Sequence, residues 1–235
     1  MLSLHKNNDI AMKYYEALGI SRGITALIGG GGKTSLLMRL AQELSSFGTV
    51  IVGATAKMYP PQGIRLVVPP DEGVLKQALA FNNLVCAGRL TSEGKITLEA
   101  GDVPMLKNVA DYVLLEADGS NGRPLKAHAL HEPALPEGVE KTILVIGIDG
   151  LGKPISLATH RPELYAKILK KNLAHLVQAE DAAKVAVIEA LHDCVFINKV
   201  ENEAAMKLAL ALAAMLNCPV AAGALLKEIK PCLLR

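Results

Sequence analysis

The chain has 235 residues, half of them apolar, with 25 Lys and Arg against 23 Asp and Glu and a net charge of +2. That is ample material for a buried core, in one large domain or two small ones. Near-neutral charge without a basic run excludes the footprint of a nucleic-acid or membrane-surface binder, and 3% aromatic residues with no Trp argue against base-stacking or carbohydrate platforms.

Residues 1–20 open polar and then read IAMKYYEALGI, a helix expected to end at Gly19. The polar opening MLSLHKNNDI is unlike a signal peptide, and no apolar segment reaches membrane-spanning length. Residues 24–34, ITALIGGGGKT, run from an apolar strand into four glycines and then into the amphipathic helix SLLMRLAQEL. A strand that feeds a helix through glycines aims the helix's free N–H groups and positive dipole end at one point. Glycine removes the Cβ that would hold an anion away. The amides of Gly29, Gly30, Gly31 and Gly32, with Lys33 and the helix-opening Thr34 and Ser35, form the expected phosphate cradle, and the Thr34 hydroxyl is placed to ligate Mg²⁺. The long Walker A spacing is absent because Leu27 stands where its first glycine belongs. What remains, G-x-x-G-K-T, resembles the shortened phosphate loop of the Mur ligases.

Gly48 closes that helix, and residues 49–55 form a second apolar strand, so the segment reads as a βαβ unit with a parallel sheet. A loop with Lys57 and two prolines, a short strand IRLVV and a helix over 71–80 follow. Residues 84–98, with a polar tip at 91–94, read as a β-hairpin at an antiparallel sheet edge. Buried strands are expected at 112–118, 143–150 and 194–200, helices after Pro162 and over 201–216, and a last strand at 219–225. The alternation implies a single α/β domain over 1–235, like a P-loop NTPase. Its mostly parallel sheet is flanked by helices, with lid or subdomain inserts near 84–110 and 119–140.

The strand from Tyr112 ends in Glu116 and Asp118, and ligands of parallel sheets bind beyond the carboxyl ends of strands. Alternation puts both acids on one face, where they can share an Mg²⁺ opposite Thr34. A turn at Asp118-Gly119, or a water-activating Glu116, fits the same residues, and which acid meets the ion stays open at this point. Arg123 and Lys126, just after Asp118, could place charge on a transferring phosphate, although a solvated surface role is the simpler reading of each taken alone. Thr55 and Lys57 lie at the same sheet edge, either as loop residues or as contacts for a phosphate or incoming substrate. Asp149 and Lys153 flank Gly150 and Gly152 beyond another strand end. His128, His131 and Glu132 form H-x-x-H-E in a proline-rich stretch, read as surface loop rather than metal site. Asn198-Lys199-Val200-Glu201 resembles the N-K-x-D element that reads guanine, with Glu in place of Asp; a strand end followed by a helix start explains it equally well. Cys86, Cys194, Cys218 and Cys232 are scattered without a C-x-x-C pair, so a reduced cytoplasm is the expected compartment.

Taken in order, GGGGKT, ATAKM, LLEADGSNGRPLKAH, HEP, VIGIDGLGKP, HRPE and FINKVE resemble the YqeC family, accessory proteins of selenium-dependent molybdenum hydroxylases. The resemblance runs from Ile24 to about Ala222, and E-A-D-G-S-x-x-R-P-L-K is its most specific piece. Two positions depart from the family pattern: a single Thr55 in the turn before Lys57-Met58, and the acid at Glu201. The resemblance implies a nucleotide-binding protein that serves a client molybdenum hydroxylase or its cofactor. The reading that follows is an Mg²⁺-dependent triphosphatase using ATP or GTP, with Lys33, Glu116, Asp118 and Arg123 as the working residues and Asn198, Lys199 and Glu201 at the base. Two others stay beside it: a Mur-ligase-like ligase or kinase acting on a small molecule, and a carrier that binds nucleotide without hydrolysing it.

Overall fold

The computed structural model describes residues 12–227 and 229–235. Nine strands form one sheet in the order β13-β12-β11-β9-β1-β7-β2-β4-β3. Their ranges are β1 Gly23–Gly29, β2 Val50–Ala54, β3 Arg65–Val67, β4 Leu84–Ala87, β7 Tyr112–Glu116, β9 Val139–Gly147, β11 Cys194–Asn198, β12 Val220–Ala224 and β13 Ile229–Leu233. Every neighbour pair is parallel except β12 with β13. Two short ribbons stand apart from the sheet: β5 Arg89–Leu90 with β6 Ile96–Thr97, antiparallel, and β8 Leu125–Lys126 with β10 Thr159–His160, parallel.

Alternation along the strands feeds helical layers on both faces. In β1, Ala26 and Ile28 join one core cluster and Leu27 the opposite one. In β9, Leu144 and Ile146 go one way, Ile143 and Val145 the other. Such two-faced burial is why these strands read as continuous apolar runs. Helix α1 (Tyr14–Ala17) and helix α2 (Lys33–Leu44) cover one face. The other carries α3 (Glu72–Phe81) and α4 (Asp102–Val109) at one end, and α5 (Ile155–Ala158), α6 (Pro162–Leu169), α7 (Ala179–Glu189) and α8 (Glu203–Ala213) at the other. Leu36, Leu37, Leu40 and Leu44 of α2 are all buried, each contributing roughly 1.5–3 kcal/mol. The helix expected before Gly19 is present over Tyr14–Ala17, with Lys13 as its N-cap; expected residues 10 and 11 lie outside the described residues.

The hairpin expected at 84–98 divides. Its tip does turn back, pairing Arg89 with Thr97, but Leu84–Ala87 pairs in parallel with β2 and β3 inside the sheet. The antiparallel edge strand is β13, at the far side of the sheet. It can run antiparallel because only the turn at Leu225–Lys227 and one further residue connect it to β12.

Strand β1 lies between β7 and β9. The chain leaves it for β2 on the β7 side, and later crosses from β7 to β9 on the other. A crevice therefore opens at the carboxyl end of β1, where doubly wound sheets bind their ligands. The four glycines sit there.

Candidate active site at the glycine loop

The loop glycines have a packing role the sequence does not display. A Cβ on Gly31 would lie 2.2 Å from the Gly147 nitrogen, one on Gly30 2.5 Å from the Arg123 carbonyl oxygen, and one on Gly29 2.5 Å from that of Val145. The loop is wedged between the end of β9 and the 123–124 segment. The Gly29 N–H donates to Asp118 (2.8 Å), Gly30 to the Val145 carbonyl (2.9 Å) and Gly31 to the Arg123 carbonyl (3.0 Å). Asn198 fixes the third side, donating to the Gly31 carbonyl at 2.8 Å. The amides of Gly29, Gly30 and Gly31, expected to face phosphate, are thus spent within the protein.

The free amides come one residue later. Gly32, at φ 121°, precedes α2 without any side-chain cap, whereas Asp71 caps α3 and Asn202 caps α8 by accepting from Val74 and Ala205. Among the described residues, the N–H groups of Gly32, Lys33, Thr34 and Ser35 have no hydrogen-bond acceptor. Gly32, Lys33 and Thr34 line a cleft of about 760 Å³ bounded by the loop, Glu116, the 119–122 turn, Lys57, Tyr59 and Lys199, and Ser35 lines an adjoining groove that Thr34 shares.

The two acids part company. Thr34 Oγ1 donates to Glu116 Oε1 at 2.5 Å, and Glu116 lines the cleft. Burial pushes the Glu116 carboxyl above the usual carboxylate range, with Asp118 adding to the rise, against the pull of Lys33 and Thr34. Asp118 turns behind the loop instead and is fully buried. Its carboxylate accepts from Gly29 and meets Lys33 Nζ at 3.0 Å, His128 Nε2 at 2.8 Å and Lys126 Nζ at 3.4 Å. Lys33 reaches Oδ1 as a charge rather than as a well-directed hydrogen bond, since its ammonium is aimed at the Gly29 carbonyl at 2.7 Å. Burial tends to raise Asp118, but the His128 hydrogen bond, Lys33, Lys126 and the Gly29 amide together hold it low. The expected placement of both acids on one face does not hold: β7 ends at Glu116, and the Asp118 carboxylate turns to the Gly29 amide, Lys33 and His128 instead of the cleft. The oxygen pair of Thr34 and Glu116 suits Mg²⁺, which keeps several waters and takes one or two protein oxygens beside phosphate.

Behind Asp118 lies a charge network that sequence reasoning missed. His128, expected on a surface loop, is buried between two carboxylates, Nε2 to Asp118 and Nδ1 to Glu189 at 2.7 Å. Burial would lower its pKa, but the two carboxylates raise it. Lys126 is buried rather than solvated, donating to the Gly119 carbonyl and to Glu132 at 2.9 Å. Glu132 is held at about 2; burial opposes this, and Arg161 Nε at 2.7 Å and Lys126 overcome it. The one signal in the sequence is the alternation Leu125-Lys126-Ala127-His128, in which two charged side chains share a strand face; the partners Arg161 and Glu189 come from remote helical segments that no local pattern links to it.

The other expected residues are placed as follows. Arg123 lends the loop its carbonyl, while its guanidinium donates to the Leu157 carbonyl at 2.5 Å and is not part of the cleft wall. Thr55 donates to the Ala134 carbonyl at 2.6 Å. Lys199 lines the cleft and pairs with Asp149 at 3.0 Å. Glu201 is exposed. Among the described residues, no helix is long and apolar enough to cross a membrane, and no three His, Cys, Asp or Glu side chains cluster as metal ligands.

Comparison with known proteins agrees with the motifs. Uncharacterized protein YqeC of Escherichia coli (strain K12) is 35% identical over 153 residues, which span 62% of this chain and 60% of that protein. The chain thus matches somewhat less than two thirds of that relative's length. The crystal structure of signal recognition particle 54 kDa protein from Aeropyrum pernix K1 in complex with GDP aligns over 91% of this chain and 44% of its own, at 14% identity and a TM-score of 0.42. The YqeC protein family model matches residues 25–163, from the glycine-loop strand to the first turn of α6, which is more than half of the chain; the protein belongs to the YqeC family.

Proposed function

We propose that this chain binds a nucleoside triphosphate with Mg²⁺ at the glycine loop and hydrolyses it in the cytoplasm, in the service of a molybdenum hydroxylase that carries selenium. The observation that supports it most is the set of four uncapped amides, Gly32 to Ser35, at the junction of a wide cleft and an adjoining groove, beside Lys33 and the Thr34–Glu116 pair. An anion there meets four N–H donors and the positive end of a 12-residue helix. Lys33 turns from Asp118 to the outer phosphates when they arrive, and Asp118 keeps His128 and Lys126 as partners. Thr34 and Glu116 would hold Mg²⁺, which would supply neutralising positive charge to the phosphates. The protein contributes position and compensating charge rather than covalent chemistry. ATP and GTP both fit the phosphate contacts. Asn198 is committed to Gly31 and Lys199 to Asp149, and Glu201 is exposed outside the walls of both the cleft and the groove beside Thr34, so the motif adds no preference between the two nucleotides.

The test is calorimetric titration of AMP-PNP and GMP-PNP with Mg²⁺, beside an assay of released phosphate. Lys33→Ala should weaken binding by about a hundredfold or more. Because that change removes one of the charges that face Asp118, the charge-balanced Lys33→Ala/Asp118→Asn variant accompanies it. Binding by both variants at the wild-type level would remove the glycine loop from the proposed function. A kinase or ligase reading is favoured by one observation, the extent of the cleft beyond the loop.

A further inference from the structure

Thr34 borders two hollows. One is the wide cleft. The other is a groove of about 320 Å³ on the opposite side of the α2 terminus, lined by Ser35, Met38, Arg39, Gln42 and the turn residues Leu225 and Leu226. An apolar wall of Met38, Leu225 and Leu226 facing the polar side chains of Ser35, Arg39 and Gln42 suits a nucleoside. A triphosphate laid across the amides of Gly32–Ser35 then places its nucleoside in the groove and its terminal phosphate beside Glu116. The far end of the cleft is left for something else.

That far end has a definite chemistry. Met58 and Ile96 exchange backbone hydrogen bonds at 3.1 and 2.8 Å, which ties the 55–62 loop to the β5–β6 hairpin and makes one firm wall. Met58 is buried, so by extended-chain alternation its neighbours Lys57 and Tyr59 both stand outward, and both line the cleft. Lys95 lines it too. The Lys57 and Lys95 ammoniums each reach Glu93 at 2.9 Å, so two cations share one carboxylate and leave a positive charge uncompensated. Lys95 Nζ stands 5.3 Å from the centre of the Tyr59 ring, which is 67% exposed in a chain with only five tyrosines. A charge pair next to an exposed aromatic plate suits a flat anion.

We infer that the far end of the cleft is a second-substrate site for a small anion bearing a planar ring, its carboxylate or phosphate seated on Lys57 and Lys95 and its ring on Tyr59. Its role as partner to the nucleotide rests on the function proposed above; the site itself does not. An incoming anion displaces Glu93 from the two lysines, so Glu93 acts as a built-in competitor.

The experiment is a fluorescence titration with 4-methylumbelliferyl phosphate, with uncharged 7-methoxy-4-methylcoumarin as control and with and without saturating AMP-PNP and Mg²⁺. The phosphate probe should bind more tightly than the control in both conditions. Lys57→Ala/Lys95→Ala should weaken it by about tenfold, and Tyr59→Ala by about fivefold. Glu93→Gln should tighten it by about threefold, an effect of opposite sign that a mere loss of folding cannot imitate. No binding, an unchanged affinity in the double lysine variant, or competitive displacement by AMP-PNP each overturns the inference. Failure of AMP-PNP to bind at all sinks the nucleotide reading instead, while the lysine dependence of the probe still decides this site.

Discussion

Glu116 and Asp118 are two residues apart, yet they live on opposite sides of the glycine loop. Glu116 faces the cleft, bonds one hydroxyl, and has its carboxyl pushed up by burial. Asp118 faces the interior and is surrounded by Lys33, Lys126, His128 and the Gly29 amide, which hold its carboxyl low. The front acid has a single hydroxyl partner and faces open space; the back acid is ringed by basic side chains and anchors the loop through the Gly29 amide. Buried charge is tolerated where partners converge and is poised where they do not.

The largest effect that can break this contrast is Asp118→Asn. It leaves three cationic side chains around a neutral amide and should cost about 3–5 kcal/mol in urea unfolding. A loss below about 1 kcal/mol would mean the network holds little together. Next come two glycines, one behind the loop and one in front. Gly31→Ala places a Cβ against Gly147 at φ +78° and should cost about 3 kcal/mol or more. Gly122→Ala, at φ +71° with open space around it, should cost only about 1 kcal/mol. Equal costs would show that the wedge between β9 and the 123–124 segment is soft.

The network also predicts a pH dependence. The folded pKa of His128 is raised above its ordinary 6.5, so its contribution is fully present below that value and fades as pH rises through the folded value. Asp118 acts in the opposite range: its contribution is present above the usual carboxylate values and is lost only in stronger acid. The His128 contribution should therefore fade as pH rises above its ordinary value, against the opposite trend from His160 and His192, whose pKa values burial lowers, so His128→Gln should make the unfolding free energy rise more, or fall less, with pH than in the wild type. An identical slope in the variant would assign the pH dependence elsewhere. The smallest effect belongs to the front. Glu116→Gln removes a carboxylate whose ionised form burial disfavours, so stability should change by less than about 1 kcal/mol. The dependence of nucleotide affinity on Mg²⁺ should nonetheless drop by about tenfold. Wild-type Mg²⁺ dependence in this variant would leave Thr34 without its proposed partner.

Much of this was legible in the residues. Apolar runs alternating with amphipathic stretches announced a parallel sheet between helices, because strands buried on both faces must be apolar throughout. The order strand, glycines, Lys33, Thr34, helix announced a loop aimed at the carboxyl end of β1, because local backbone chemistry suffices to build it. Tyr112–Glu116 was recognisable as a buried strand ending in acid for the same reason.

What the residues left open were the questions whose answers depend on distant chain. The sequence placed Glu116 and Asp118 together, and Lys126 and His128 at the surface. Only the packing of the 123–134 segment under the loop, with Glu189 arriving from α7 and Arg161 from the start of α6, turned them into a front and a back. The sequence offered Gly29 to Gly32 as phosphate amides. Only the approach of Asp118, Val145 and Arg123, accepting from Gly29, Gly30 and Gly31, consumed the first three and left the donors from Gly32 onward free. Pattern and propensity act over a few residues, whereas burial and charge compensation are settled by whichever remote side chains the fold delivers.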